Sequence, residues 1–195
     1  REMKKNLVAL LLVLAVVSVG LFATPLDNSD KSFTVTTTVS GINKMIISTG
    51  KYVTNPANVA TFEDLVAFNN LSVAAGGSQG HEGVVAYIST LSNYRKGYKV
   101  TMTATAMKCA EPVGGGAAGY INYTVTVDGN SAKQIITNSN DLPGEGVVVI
   151  DTGVLTNGLA AVSLPIALTV DAGEFNAAVQ GSYTGTVTFE WTANS

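Results

Sequence analysis

The sequence holds one cysteine, one histidine and one tryptophan among 195 residues, with only five prolines. Each shortage excludes something. A lone Cys109 cannot close an internal disulfide, so the fold must rest on its apolar core. A catalytic thiol needs a nearby histidine to lower its pKa, and nothing in the spacing pairs Cys109 with His81. His81 beside Glu82 could act as a base or a metal ligand only with partners that the chain does not supply. Charged residues make up 13% of the chain, against about a quarter in ordinary globular domains, and no basic run occurs. Phosphate backbones need clustered lysine and arginine, so nucleic acid is excluded as a partner.

Signs of catalysis fail one at a time. Glu63 and Asp64 are adjacent, and neighbours in a strand or helix point to different faces. Asp151, Thr152 and Gly153 spell the aspartic-protease tripeptide, yet that chemistry shares a proton between two such carboxylates and no second tripeptide exists. The glycines of 112–119 are followed by a strand pattern, without the Lys-Ser/Thr pair and helix of a phosphate loop. Asp27, Asn28 and Asp30 lack the glycine turn and distal glutamate of a calcium loop. The expectation is a protein with no cofactor, no metal and no enzymatic activity.

What is present begins with a targeting signal. Met3, Lys4 and Lys5 open a basic start, and residues 7–23 are apolar apart from Ser18 and Gly20. This is the pattern of a secretory signal peptide, expected over 1–23 with Met3 as its start. The apolar run is 17 residues, short of the ~20 that cross a bilayer. Uncleaved, it would be the chain's attachment to a membrane. Cleavage removes Arg1, Glu2, Lys4 and Lys5 and takes the net charge from −3 to −5. The expected location is exported: periplasmic, cell surface or extracellular. Residues 24–195 are expected to form one domain, large enough to bury a core without disulfides.

The polarity lost with the charges returns as 22 threonines, and 20 glycines supply turns. Threonine suits a pleated, half-buried surface. The clearest strand is 181–194. From Ser182, the residues Tyr183, Gly185, Val187, Phe189 and Trp191 alternate with Thr184, Thr186, Thr188, Glu190 and Thr192. The same rule predicts strands over 32–40, 98–107, 120–128 and 160–171. Shorter apolar strands are expected at 44–48, 132–137 and, buried, at 146–151. Residues 84–91 are apolar on both faces and read as an inner strand. Asp128, Gly129 and Asn130 carry hairpin chemistry. Residues 62–73 fit a strand or a helical turn, and the strand is preferred. Pro165 has no N–H, so 160–171 is expected at a sheet edge or with a bulge. Residues 172–180 read as a crossover with one helical turn. The fold class is all-β: an Ig-like antiparallel β-sandwich of roughly 7–10 strands. Phe189 and Trp191 are expected to be buried against Val100, Met102 or Tyr123.

The closing stretch 168–193, with Gly181, Tyr183, Val187, Phe189 and Trp191, resembles the terminal motif of the bacterial spore-coat-U and fimbrial-subunit superfamily. The opening stretch 32–48 resembles the first strand of those subunits. The likeness covers about a third of the chain. Those subunits usually carry a disulfide near the first strand, and this chain has only Cys109. The resemblance implies an Ig-like sandwich with a structural surface role.

Two functions follow. The first is an exported structural protein, a fimbria-like or coat-like subunit that pairs with itself or another surface protein through a sheet edge. Its candidate pairing segment is the alternating stretch with Phe33, Val35 and Val39. The same stretch could instead pair within its own monomer. The second is a secreted carbohydrate-binding or adhesin-like module. Its candidate residues are Tyr94, Arg95 and Lys96 on a turn, with loops 74–83 and 112–119 beside them.

Overall fold

The computed structural model describes residues 34–72, 82–112, 114, 119–139, 142–156 and 158–195. The expected signal segment 1–23, Phe33, His81, the Asp27 and Asp30 pair and most of the two glycine-rich loops lie outside them. The chain divides into two units, Arg1–Thr38 and Val39–Ser195. In the first, residues 34–38 are exposed and join no strand. Val39 and Ser40 in the second do the same, so the strand expected at 32–40 is not formed among the described residues. Val35 and Val39 are each 80% exposed, the highest values among the described large apolar residues. The local pattern is right for a strand, but among the described residues it pairs with none.

Among the described residues the second unit holds eleven strands, all paired antiparallel. They are β1 (Asn43–Ser48), β2 (Glu82–Ser92), β3 (Tyr98–Ala104), β4 (Met107–Cys109), β5 (Tyr120–Ile121), β6 (Thr124–Val127), β7 (Gln134–Ile136), β8 (Val147–Asp151), β9 (Ala160–Thr169), β10 (Tyr183–Thr184) and β11 (Val187–Ala193). The order is β1-β2-β9-β6-β7 in a five-stranded sheet, β11-β3-β8 in a second and β10-β4-β5 in a third. One buried cluster draws on all three. Ile88, Val125 and Ile166 come from the first, Val100, Met102 and Val149 from the second, and Ile121 from the third.

Alternation set the faces well. Along β3 the residues Tyr98, Val100, Met102 and Ala104 are buried while Lys99 is exposed. On β2, in the interior of its sheet, Ile88, Ser89, Thr90 and Leu91 are all buried. The buried hydroxyls are paired: Thr90 Oγ1 lies 2.6 Å from Tyr98 Oη, and Ser89 Oγ lies 2.8 Å from Ser163 Oγ. Asp128 and Gly129 both adopt positive φ, near 60°, and Asn130 N–H donates to Val127 O, closing the expected turn.

Three expectations are corrected. Residues 62–73 hold no strand beyond an isolated bridge from Ser48 to Ala67. A short helix α1 (Val59–Glu63) forms instead, because the Asn58 side chain accepts from Ala60 N and Thr61 N while Phe62 packs against Tyr52. The strand at 146–151 forms at a sheet edge, with Val148 44% exposed, although Val149 and Ile150 are buried. Pro165 sits on β9, an interior strand flanked by β2 and β6 and not an edge, while the β2–β9 ladder beside it carries a register shift between Val84 and Ala86, opposite Ala167 and Ile166. A residue's N and C=O point to the same side of a strand. Pro165 O accepts from Asp128 N, so its missing N–H faces the place where β6 has already ended at Val127. At most the one reciprocal bond to Asp128, already in the turn, is forgone.

The crossover carries the expected helical turn, α2 (Ala172–Ala177), capped by Asp171, whose side chain accepts from Gly173 N.

Candidate functional site

β1 and β11 are the outermost strands of their respective sheets, and the space beside them is not filled by side chains. A cavity of about 500 Å³ opens there. Its five-stranded-sheet wall is Ile47 of β1, Val85 of β2, Val125 of β6 and Ile166 and Leu168 of β9. The opposite wall is Met107 of β4, Tyr183 of β10 and Val187 and Phe189 of β11. Phe68 and Leu71 of the 66–71 segment close one side. Ile47, Phe68, Val85, Met107, Leu168, Tyr183, Val187 and Phe189 are half-buried groups resting on the core. Apolar side chains stand on both walls, while Asn69, Asn70, Thr184 and Thr186 add polar groups to a groove open to water.

The sheet edges at this groove differ. The outer side of β1 is partly covered, since Thr49 N donates to Val66 O and Phe68 N to Ile47 O. β11 pairs on one side only, with β3, so among the described residues its outer side has no strand partner. β11 keeps strict alternation, with Val187, Phe189 and Trp191 half-buried and Thr188, Glu190 and Thr192 exposed. Phe189 lies opposite Met102 and Trp191 opposite Val100, the strand partners expected, but neither aromatic is fully buried. Trp191 stacks on Tyr98 at 5.5 Å between ring centroids and meets the edge of Tyr94 at 6.3 Å. Its Nε1 is buried without a hydrogen-bond partner.

Tyr123 stands in the groove wall, and burial pushes its phenol up to about 12. The Tyr183 hydroxyl donates to Val179 O at 3.0 Å. Cys109 is buried and free at the end of β4, packed against the Gly181 backbone, where a Cβ would come within 2.5 Å of its sulfur.

The turn residues singled out from the sequence lie at the Ala193 end of β11. Arg95 and Lys96 are exposed, whereas Tyr94 is half-buried against Trp191. Arg95 and Asn93 line a second, more open cleft of about 540 Å³ with Val154, Leu155, Thr156 and Gly158. Asn93 is engaged elsewhere: its Oδ1 accepts from Ile42 N at 2.7 Å and its Nδ2 donates to Ser40 O at 2.9 Å. This ties residues 40–42 to the end of β2. Among the described residues no group of three or more His, Cys, Asp or Glu could hold a metal ion.

The sequence offered Val35 and Val39 as one half of a pairing site. It did not single out Phe68, Leu71, Met107 or Leu168, which line the groove. Their neighbours come from distant strands, so no local signal marked them. No known protein family and no curated protein matches the chain.

Proposed function

We propose that this is an exported structural protein, an Ig-like sandwich one strand short, that assembles by accepting the alternating stretch 33–39 of a second copy into the groove beside β11. The observation that carries the reading is the pairing of two unmet needs. The groove presents apolar walls and an unpaired strand edge. The chain also carries a strand pattern with no sheet to join, its Val35 and Val39 each 80% exposed. Inserting such a strand satisfies backbone groups along the edge and removes apolar surface from water at ~25 cal/mol per Å².

Polarity favours a second copy over the chain's own segment. Residues 40–42 are held at the Asn93 end of the sheets, the end where β11 finishes at Ala193. A segment rooted there could enter its own groove only parallel to β11. Every ladder among the described strands is antiparallel, and an antiparallel entry puts Val39 at the far, Val187 end. That polarity is open to the segment of another copy.

Light scattering behind size-exclusion chromatography tests this. The full chain should show a mass that rises with concentration, and Val35→Glu with Val39→Glu should hold it at the monomer. A monomer at every concentration overturns the assembly reading. A second reading, a carbohydrate-binding module, draws on the cleft beside Arg95. Glycan-array binding lost on Tyr94→Ala would favour it.

A further inference from the structure

We infer that Thr37 of the entering strand is the residue that fixes its register, by accepting a hydrogen bond from the buried indole N–H of Trp191. The inference rests on the strand-acceptor reading and goes beyond it to a specific contact. Two oddities meet in it. Trp191 Nε1 is a buried donor without a partner among the described residues, and it sits on the strand whose edge is free. A buried donor left unpaired is costly, so an acceptor that arrives with the partner strand is favoured. The entering face reads Phe33, Val35, Thr37, Val39, apolar except for one hydroxyl.

Geometry brings the two within reach. β11 spans seven residues, and so does the stretch 33–39. Laid antiparallel along β11, Val39 falls opposite Val187, Thr37 opposite Phe189, Val35 opposite Trp191 and residue 33 opposite Ala193. A slip by one residue would turn the apolar face outward, so only slips by two compete. In the aligned register Thr37 is the diagonal neighbour of Trp191, a separation that aromatic side chains span. A slip of two toward Val187 carries Thr37 two places further from Trp191; a slip of two toward Ala193 keeps Thr37 beside Trp191 but puts Gly41 opposite Val187 and runs residue 33 past the end of β11, so it forfeits apolar contact. The hydroxyl thus separates the aligned register from the slip toward Val187, which the apolar side chains alone would tolerate about equally.

The test keeps the groove intact and varies only the entering strand. The full chain with Val35→Glu and Val39→Glu, whose own segment no longer enters, is titrated with a synthetic peptide of residues 32–40. Binding is read calorimetrically and by the emission of Trp191, the only tryptophan. The expected result is that the peptide binds and shifts the emission, and that a Thr37→Val peptide binds ~10-fold more weakly because the indole N–H stays unpaired. A Thr37→Ser peptide should keep most of the affinity. With Trp191→Phe in the protein, the Thr37→Val penalty should vanish. If the Thr37→Val peptide binds as tightly as the parent, the register contact is overturned while the groove stands. If no peptide binds, the groove reading falls and the contact with it.

Discussion

At the scale of single residues, the decisive feature is how few polar groups are buried and how completely most are paired. Thr90 and Tyr98 share a 2.6 Å hydrogen bond in the core. Tyr98→Phe leaves the Thr90 hydroxyl buried alone and should cost about 1–3 kcal/mol in urea unfolding. Thr90→Val with Tyr98→Phe should recover part of that loss, since both partners are then apolar. Gly97 is equally constrained. Its φ is +78°, and a Cβ there would meet Gly153 O at 1.5 Å, because the turn after β2 lies on the turn after β8. Gly97→Ala should destabilise by ~2 kcal/mol or more, read as a lower denaturation midpoint. Tyr123 gives a pH signature. Its phenol is pushed up to about 12 by burial, whereas an unfolded tyrosine ionises near 10. The folded chain then holds a proton that the unfolded chain releases. The stability from this group is full below pH ~10 and is lost as pH rises from ~10 to ~12. Tyr123→Phe should flatten that alkaline loss; burial raises Tyr98 as well, so part of it should remain.

At the scale of elements, β9 and β11 show the limits of reading strands alone. Both alternate, but β9 became an interior strand, against the edge position that Pro165 suggested, and β11 an edge strand. The missing N–H of Pro165 costs little because it faces Asp128, a turn residue just past the end of β6 at Val127. Pro165→Ala should therefore shift stability by less than about 1 kcal/mol, where an interior-strand proline with a lost ladder bond would have mattered far more. Helix α1 came from capping chemistry. Asn58 and the packing of Phe62 on Tyr52 outweighed the apolar run that had suggested a strand. The stretch 34–40 carries the opposite lesson: a sound strand pattern alone has not made a strand of it.

At the scale of the whole molecule, the assembly proposed above would fill the groove beside β11 with the stretch 33–39 of a second copy. Low charge sharpens this. With 13% charged residues there are few lysines or glutamates to guard an open edge, and on β11 only Glu190 is charged. Self-association driven by backbone pairing and apolar burial should be nearly insensitive to salt, unlike an association between oppositely charged faces. Sedimentation at low and high ionic strength should give the same mass distribution, and dissociation by salt would point to another surface.

The sequence by itself determined the β class, the inward and outward faces of β3 and β11, the Asp128 turn and the helical turn at 172–177. All of these follow from period-2 alternation, φ preferences and capping, which act over a few residues. Tertiary structure alone decided which strands lie at the edges, why Pro165 is harmless in an interior strand, and that Ile47, Val85, Leu168 and Phe189 share one groove. Those outcomes depend on pairings between residues far apart in the chain, such as Asn43 with Ser92, 49 positions on, and Tyr98 with Ala193, 95 positions on, and no local pattern encodes which of several alike strands becomes the neighbour.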